Sequence, residues 1–310
     1  MKDFDGLPDG DGLVRIADGE ASVVLAPRIG GAIAAYRWET SGGTLDWLRP
    51  AAVDAIRRAD AGSMSCFPLV PYSNRIRNGK FRFRGEDVRL PVSPSEDPHF
   101  EHGHGWRKPW EVLEVGPDKA VMRYVHEADE WPWRYEAVQQ VSLIAGALVL
   151  DLSIRNRSER FMPAGLGIHP YFPVTPKARV EARVARMWET DSEVLPTRLV
   201  RPRAGADPNT GIEISALDID NVFTGWTGNA RIIWPEKGAS LALNAEGRLH
   251  FLVLYAQRSE ADFCVEPVSN ATDAFNLGDA DESDVGVTAL APGDCLTARI
   301  ELCPEIGTPG

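Results

Sequence analysis

The sequence predicts an all-β protein, a large antiparallel β-sandwich with a few short helical turns. Short alternating or wholly apolar runs recur along the chain, and Gly, Pro, Asp and Asn separate them. The 28 glycines and 23 prolines among 310 residues indicate the frequent turns that are typical of a strand-rich fold. No repeat, low-complexity tract or break in composition divides the chain. Because β-sandwiches of about 250 residues and more form single units, we expect one domain over residues 1–310.

The individual elements follow from these runs. Two long runs flank Ala145-Gly146-Ala147 and predict a hairpin, and Arg84-Gly85 and Ala245-Glu246-Gly247 predict two further turns. Ala51–Arg58 has a helical pattern, and Glu193–Gly211, rich in Pro, Arg, Asp and Gly, is the most loop-like stretch. The predicted strands are Ala21–Leu25, Ala32–Trp38, Lys80–Phe83, Glu86–Leu90, Ala120–Val125, Val138–Ile144, Leu148–Ile154, Arg231–Trp234, Ser240–Leu243 and Thr297–Leu302.

Charge and cysteine content narrow the class of protein. A formal net charge of −12 argues against nucleic acid or an anionic membrane as the partner. No stretch approaches the ~20 uninterrupted apolar residues of a membrane-spanning helix. The segment Met1–Gly6 is polar and acidic, without the apolar core of a secretion signal. The four cysteines have no CxxC spacing, which predicts reduced, mostly buried thiols in a cytoplasmic protein.

Two apolar runs end in an ionisable residue followed at once by proline, in His169-Pro170 and in Glu266-Pro267. A residue before proline is pushed into extended geometry, and proline favours the end or edge of a strand. An imidazole and a carboxylate held in this way suit a general acid and a general base. Glu266 ends an apolar run, so burial would raise its pKa and make it a better base near neutral pH. Sequence spacing alone does not show that the two groups meet.

Two polar segments offer groups that could bind a sugar. Asn74 and Arg75 lie in a loop, and an arginine fork can bind vicinal hydroxyls or an oxyanion at two points. Asp220 lies in an Asp-Ile-Asp-Asn segment and could hold sugar hydroxyls. A solvated arginine in a turn and an acid in an ordinary turn are the competing interpretations.

A histidine-rich segment contains His102 and His104 between glycines. Histidines at i and i+2 of a strand face the same side, which is also a metal-ligand geometry. A cupin-like metal site would need a carboxylate four or five residues after the second histidine, where the chain has Lys108 and Pro109. We therefore expect no metal there, and the flanking glycines favour a loop whose backbone comes close to a ligand. Structural histidines remain the alternative.

Cofactor motifs are missing from the sequence. The chain has no P-loop, no dinucleotide-binding glycine motif, no CxxC pair and no nucleophile-elbow serine. Nine tryptophans are present, and Trp106, Trp110 and Trp226 lie nearest the polar segments, where one could stack on a pyranose ring.

Taken in order, five segments resemble the aldose 1-epimerase (galactose mutarotase) family. The resemblance covers roughly Ala21 to Leu302 and implies a β-sandwich of the galactose-mutarotase type, free of cofactor, with a sugar cleft on one face. The matching segments are Asn74-Arg75-Ile76, His102-Gly103, His169-Pro170-Tyr171-Phe172, Asp220-Asn221-Val222-Phe223 and Glu266-Pro267 with Phe275-Asn276 downstream.

Residue by residue, the resemblance implies Glu266 as the general base and His169 as the general acid. Arg75, His102 and Asp220 match sugar-contacting positions, and we expect Asn74 and His104, which stand beside them in the same segments, to bind the substrate as well. The implied reaction interconverts the α- and β-anomers of an aldose by ring opening and reclosure. This reaction requires the fold to bring the acid and the base to one sugar-sized cleft. The sequence leaves open whether His169 and Glu266 lie at opposite ends of such a cleft.

The chain departs from the family's commoner pattern in two ways. His104 stands where a second glycine soon after the first histidine is more usual, and an Asn-rich run before the His-Pro segment is missing. The alternatives are a hexose-phosphate epimerase on the same fold, a glycosidase using Asp220 and Glu266, and a non-catalytic sugar-binding protein. The expected partner is a monosaccharide, and the expected state is a monomer or homodimer.

Overall fold

A computed structural model describes residues 12–278 and 282–307, so the segment Met1–Gly6 lies outside the described residues. The described chain forms two short α-helices, α1 (Val53–Arg57) and α2 (Glu282–Val285), and short 3₁₀ turns. No helix in this part of the chain is long and apolar enough to cross a membrane. The strands are β1 Val14–Asp18, β2 Ala21–Ala26, β3 Ala32–Thr40, β4 Gly43–Asp46, β5 Cys66–Leu69, β6 Lys80–Phe83, β7 Glu86–Arg89, β8 Glu111–Val115, β9 Lys119–His126, β10 Tyr135–Ile144, β11 Ala147–Asn156, β12 Met162–Ala164, β13 Gly167–Pro173, β14 Arg179–Ala182, β15 Arg186–Thr190, β16 Pro196–Val200, β17 Ile212–Glu213, β18 Ile219–Thr224, β19 Asn229–Trp234, β20 Ala239–Gly247, β21 Phe251–Ala256, β22 Asp262–Val268, β23 Thr288–Leu290 and β24 Cys295–Ile306.

Two large antiparallel sheets pack face to face, which confirms the predicted β-sandwich. The 11-stranded sheet runs β1-β2-β3-β5-β13-β22-β21-β18-β15-β16, with β4 added beside β3. The nine-stranded sheet runs β17-β14-β19-β20-β24-β11-β10-β9-β8. In the two large sheets, half of the neighbouring strands follow each other in sequence and half do not. The central strands β5, β13 and β18 and the hairpin of β21 and β22 bring four separate parts of the chain together.

The side chains of the central strands alternate between the two faces of the 11-stranded sheet, and both faces are buried there. On β13, Ile168 and Phe172 point into the core between the two sheets, and on β22 Phe263 and Val265 do the same. The residues between them therefore face the other side of the sheet, where loops cover a second apolar cluster. This outer face carries His169 of β13, Glu266 of β22 and Asp220 of β18.

Most predicted elements are confirmed, and two are wrong in part. The turns at Ala145-Gly146 and Arg84-Gly85 join paired strands, and α1 falls inside Ala51–Arg58. The predicted turn Ala245-Glu246-Gly247 is instead the end of β20, because the long β24 continues to pair with it as far as Ala298. The predicted loop Glu193–Gly211 contains β16, which pairs with β15. Single-domain organisation over residues 1–310 stays a prediction.

The two His-Pro and Glu-Pro segments lie in central strands and not at strand ends or sheet edges. β13 and β22 pair at Gly167–Val268 and again from Tyr171–Cys264 onward. Between these points the ladder is interrupted where Pro170 and Pro267 each lack an N–H donor. The sheet therefore accommodates both prolines by giving up backbone hydrogen bonds locally.

The four cysteines are free thiols, as the sequence predicts. Cys66 and Cys264 are buried, whereas Cys303 is half-buried and Cys295 is exposed, so the prediction of mostly buried thiols holds for two of the four.

Candidate active site

A cavity of about 450 Å³ opens on the outer face of the 11-stranded sheet. Its volume is in the range of small-molecule sites. Six of the seven residues singled out in the sequence line it, and the central strands and two loops supply them. They are Asn74, Arg75, His102, His169, Asp220 and Glu266.

The floor of the cavity consists of two adjacent rungs of the sheet. Antiparallel register places neighbours along a rung in side-chain contact. The register of β5, β13, β22, β21 and β18 gives one rung of Phe67, His169, Glu266 and Val253, and a second of Tyr171, Cys264, Tyr255 and Asp220.

His169 and Glu266 are cross-strand neighbours. Counting inward from the Gly167–Val268 and Tyr171–Cys264 pairs sets the two residues opposite each other. Nε2 of His169 lies 3.3 Å from Oε1 of Glu266, and the Glu266 side chain is only 2% exposed. The imidazole and the carboxylate therefore touch and do not stand at opposite ends of the cavity.

Burial shifts both groups away from their charged forms. Desolvation raises the pKa of Glu266 well above its ordinary value, the charges of Asp220 and Glu101 add to the rise, and Arg75 opposes it. Desolvation lowers the pKa of His169 well below its ordinary value, and His102 adds to the fall. A proton moving across the 3.3 Å gap therefore converts a neutral pair into a carboxylate beside an imidazolium.

His102 is held neutral, in one tautomer, by the Asn74 backbone. The N–H of Asn74 donates to Nδ1 of His102 at 2.9 Å, and the N–H of His102 donates to the Asn74 carbonyl at 3.0 Å. Burial and the charges of Arg75 and Arg107 lower the pKa of His102 to about 3. Because Nδ1 accepts, the ring proton is on Nε2, and His102 is a fixed hydrogen-bond donor.

Arg75 is held between two carboxylates. Nη2 of Arg75 lies 2.9 Å from Oε1 of Glu101, and Nη1 lies 3.4 Å from Oδ2 of Asp220. The loop that carries Arg75 is fixed from below, because the Asn270 side chain accepts from the Ser73 N–H at 3.1 Å and donates to the Ser73 carbonyl at 2.9 Å. Burial raises the pKa of Asp220 and of Glu101, and Arg75 opposes both shifts. The guanidinium is thus positioned before any ligand arrives.

Glu101 lines the cavity but was not singled out in the sequence. The available signal was its place directly before His102, in a segment already marked as polar.

Stacked aromatic rings form one wall of the cavity, and only part of this wall was predicted from the sequence. Trp106 stacks on Phe67 with ring centres 5.0 Å apart, Phe67 stacks on His169 at 4.7 Å, and His169 stacks on Tyr171 at 4.7 Å. Of the three flagged tryptophans, Trp106 lines the cavity, whereas Trp110 and Trp226 are buried elsewhere. Alternation from His169 would have found Tyr171, two residues along β13.

The cavity is also lined by an ion pair that was not predicted from the sequence. Nη1 of Arg49 lies 3.3 Å from Oδ2 of Asp262, and the Arg49 guanidinium also lies 3.9 Å from the centre of the Tyr171 ring. The signal for Asp262 was its position four residues before Glu266 on one strand, which places both on the same face.

The prediction that His104 contacts a sugar is not supported, because His104 lies outside the cavity wall. Its buried ring stacks on His126 with centres 4.7 Å apart. Burial and His126 lower its pKa to about 4. The i and i+2 argument fails because His102 and Gly103 have φ values of +59° and +67°, so the segment is a turn and not a strand. His102 and His104 consequently point to different parts of the molecule.

The chain is similar to known proteins over most of its length. The aldose 1-epimerase family profile matches residues 12–303. Over 277 residues the chain is 29% identical to the uncharacterized protein YphB of Escherichia coli K12, covering 84% of this chain and 90% of YphB. It is 24% identical to the uncharacterized protein YihR of the same strain over 225 residues, covering 68% of this chain and 71% of YihR.

Solved structures have the same architecture. The crystal structure of a candidate aldose 1-epimerase from Escherichia coli K12 superimposes with a TM-score of 0.85 at 26% identity, covering 95% of this chain and 99% of the other. A galactose mutarotase-like protein from Clostridium acetobutylicum superimposes with a TM-score of 0.83 at 20% identity, covering 95% of both chains, and shows the shared fold. Since the family profile spans almost the whole sequence, the chain belongs to the aldose 1-epimerase family.

Proposed function

We propose that this protein is a mutarotase that interconverts the α- and β-anomers of a free aldose, with Glu266 as general base and His169 as general acid. The observation that supports this most is the 3.3 Å contact between the two side chains on the cavity floor. The anomeric hydroxyl and the ring oxygen are both bonded to C1. An acid and a base that serve these two oxygens must therefore be neighbours.

In the proposed mechanism, the Glu266 carboxylate takes the proton of the anomeric hydroxyl while protonated His169 gives a proton to the ring oxygen. The C1–O5 bond breaks, C1 becomes an aldehyde, and rotation about C1–C2 exposes its other face. Reclosure returns both protons, so neither residue is consumed. Each proton transfer contributes roughly 10²–10⁴-fold to the rate.

The remaining cavity residues would bind and orient the sugar. The fixed Nε2–H of His102 and the Arg75 fork donate to hydroxyl oxygens, and the carboxylate of Asp220 accepts from a hydroxyl. The half-buried Trp106 ring, which stacks on Phe67 and lies under the Arg107 guanidinium, contributes its exposed edge to the cavity wall. The reaction needs no metal or nucleotide, so we propose a cofactor-free enzyme acting on a monosaccharide.

The charge of the cavity favours a neutral aldose over a sugar phosphate. Each of its two arginines already contacts at least one carboxylate, as the Arg75 and Arg49 pairs show. A phosphate would have to displace one of these carboxylates and then lie beside the others, which costs several kcal/mol at close range. The lining carboxylates are Glu101, Asp220, Glu260, Asp262 and Glu266.

Polarimetry tests the proposal. Freshly dissolved α-D-glucose or α-D-galactose should mutarotate faster with the protein, and neither Glu266→Gln nor His169→Asn should accelerate it comparably. Glucose 6-phosphate serves as the comparison substrate. If a panel of neutral hexoses and pentoses shows no acceleration while a labelled sugar still binds, the protein is a sugar-binding relative and the mutarotase assignment is wrong.

A further inference from the structure

The second rung holds a thiol that the proposed mechanism does not use, and this thiol lies beneath the cavity and does not line it. Cys264 lies between Asp262 and Glu266 on one face of β22, and its side chain is completely buried. It is diagonal to His169 on the neighbouring strand. One nitrogen, one sulfur and one carboxylate oxygen from His169, Cys264 and Glu266 all lie within 4.8 Å of one another.

A second observation is that a polar atom of this cluster has no hydrogen-bond partner within the described part of the chain. Oε2 of Glu266 is buried and has no hydrogen-bond partner among the described residues. A buried carboxylate oxygen without a partner is costly, and native structures normally satisfy it with a ligand, an ion or water. The side chain that carries this oxygen is 2% exposed and lines the cavity.

The ligand set and its spacing select among metals. Thiolate with imidazole favours Zn²⁺ over Mg²⁺ or Ca²⁺, which prefer oxygen ligands only. Zn–N, Zn–O and Zn–S bonds of about 2.0–2.3 Å in tetrahedral geometry set the ligand atoms about 3.3–3.8 Å apart. The 3.3 Å His169–Glu266 distance already meets this spacing, and the sulfur needs a shift of about 1 Å at most.

We propose that His169, Cys264 and Glu266 bind one Zn²⁺ ion, with the fourth position open to the cavity, and that the bound ion inhibits the enzyme. The inhibitory part rests on the proposed mutarotase function, because zinc would occupy the acid and the base together. On binding, the thiol proton and any proton shared by His169 and Glu266 leave to solvent, so affinity rises with pH.

Metal titration tests the site independently of catalysis. Untagged full-length protein, freed of metal with a chelator, is titrated with Co²⁺, whose thiolate complexes absorb in the near ultraviolet. We expect one Co²⁺ per chain, a thiolate band, and displacement of the band by Zn²⁺. Cys264→Ala and Cys264→Ser should both lose the band. Cys66→Ala is the matched control, because Cys66 is buried in the same sheet but packs into the core between the sheets, and it should keep the band.

Mutarotation in the same preparations then tests inhibition. Zn²⁺ should slow the wild-type protein, whereas Cys264→Ala should work within about threefold of the wild-type rate and resist at least tenfold more Zn²⁺. A missing thiolate band in wild-type protein, or a band that survives in both folded Cys264 variants, would overturn the site. A metal-free wild-type protein that does not mutarotate any aldose would instead overturn the proposed function, while the cobalt band still decides whether the metal site exists.

Discussion

Replacement of Glu266 by Gln should make the protein more stable relative to wild type as pH rises, while removing its activity. The substitution keeps the shape of the side chain and an oxygen that can accept from Nε2 of His169, so the fold should persist. It removes a carboxylate that is 2% exposed and whose pKa burial raises well above the ordinary value. A group with these properties costs stability whenever it is ionised in the folded state.

The sign follows from proton binding. Between the unfolded pKa of Glu266, 4.5, and its raised folded pKa, the folded state binds more protons than the unfolded state. The free energy of unfolding of the wild type therefore falls as pH rises through that window, by up to about 1.4 kcal/mol per pH unit from this residue. A glutamine at this position does not titrate, so the advantage of the variant grows by the same amount. The rate should fall by about 10²–10⁴-fold, the usual contribution of a general base.

Urea unfolding followed by tryptophan fluorescence, at several pH values from about 5 to 8, measures the difference between the two proteins. Glu127→Gln is the matched control, because Glu127 is exposed and its hydrogen bond with Arg134 lowers its pKa. The free energy of unfolding of Glu127→Gln, relative to wild type, should not increase as pH rises. A difference between Glu266→Gln and wild type that stays flat or shrinks with rising pH would refute the assignment of Glu266 as a desolvated carboxylate.

Three further predictions concern the rest of the cavity. The mutarotation rate of the wild-type protein should follow a bell against pH, rising as the His169–Glu266 pair loses its first proton and falling as it loses its second, because only the singly protonated pair can supply a carboxylate and an imidazolium together; initial rates across pH check this. Arg75→Lys should raise KM about tenfold or more, since an ammonium cannot hold both Glu101 and Asp220 and still present a fork; progress curves at varied sugar concentration measure it. His104→Asn should lower the melting temperature but leave KM and kcat near wild type, and a KM change matching that of Arg75→Lys would return His104 to the site.

The strands were predictable because their causes are local, whereas most of their pairing was not. Alternation and turn residues predicted many strands and the two hairpins β6–β7 and β10–β11. The error at Ala245-Glu246-Gly247 arose because a glycine, here with a φ of +90°, is typical of a turn, whereas the partner strand β24 decides where pairing stops. That partner is about 50 residues away in sequence, and no local pattern reports its length.

Site residues were predictable only where the residues next to them in sequence formed a recognisable pattern. His169 and Glu266 were found through the prolines that follow them, and Arg75 and His102 through the polar loops that hold them. Arg49 was missed because its partner Asp262 is 213 positions away, and an arginine in isolation gives no signal of pairing. His104 was included in error because strand geometry was assumed for a segment that turns at His102.

The prolines that pointed to His169 and Glu266 also account for the way the sheet presents these two side chains. A central antiparallel ladder normally satisfies every N–H and holds its side chains on a regular grid. Pro170 and Pro267 each remove one donor, and the β13–β22 ladder is interrupted across the three residues between Gly167 and Tyr171. Strands β5 and β21 still pair with β13 and β22 on their other sides, so the interruption does not open the sheet. The proposed acid and base therefore lie on the stretch of β13 and β22 that lacks regular pairing between these two strands, while the pairing with the flanking strands is intact.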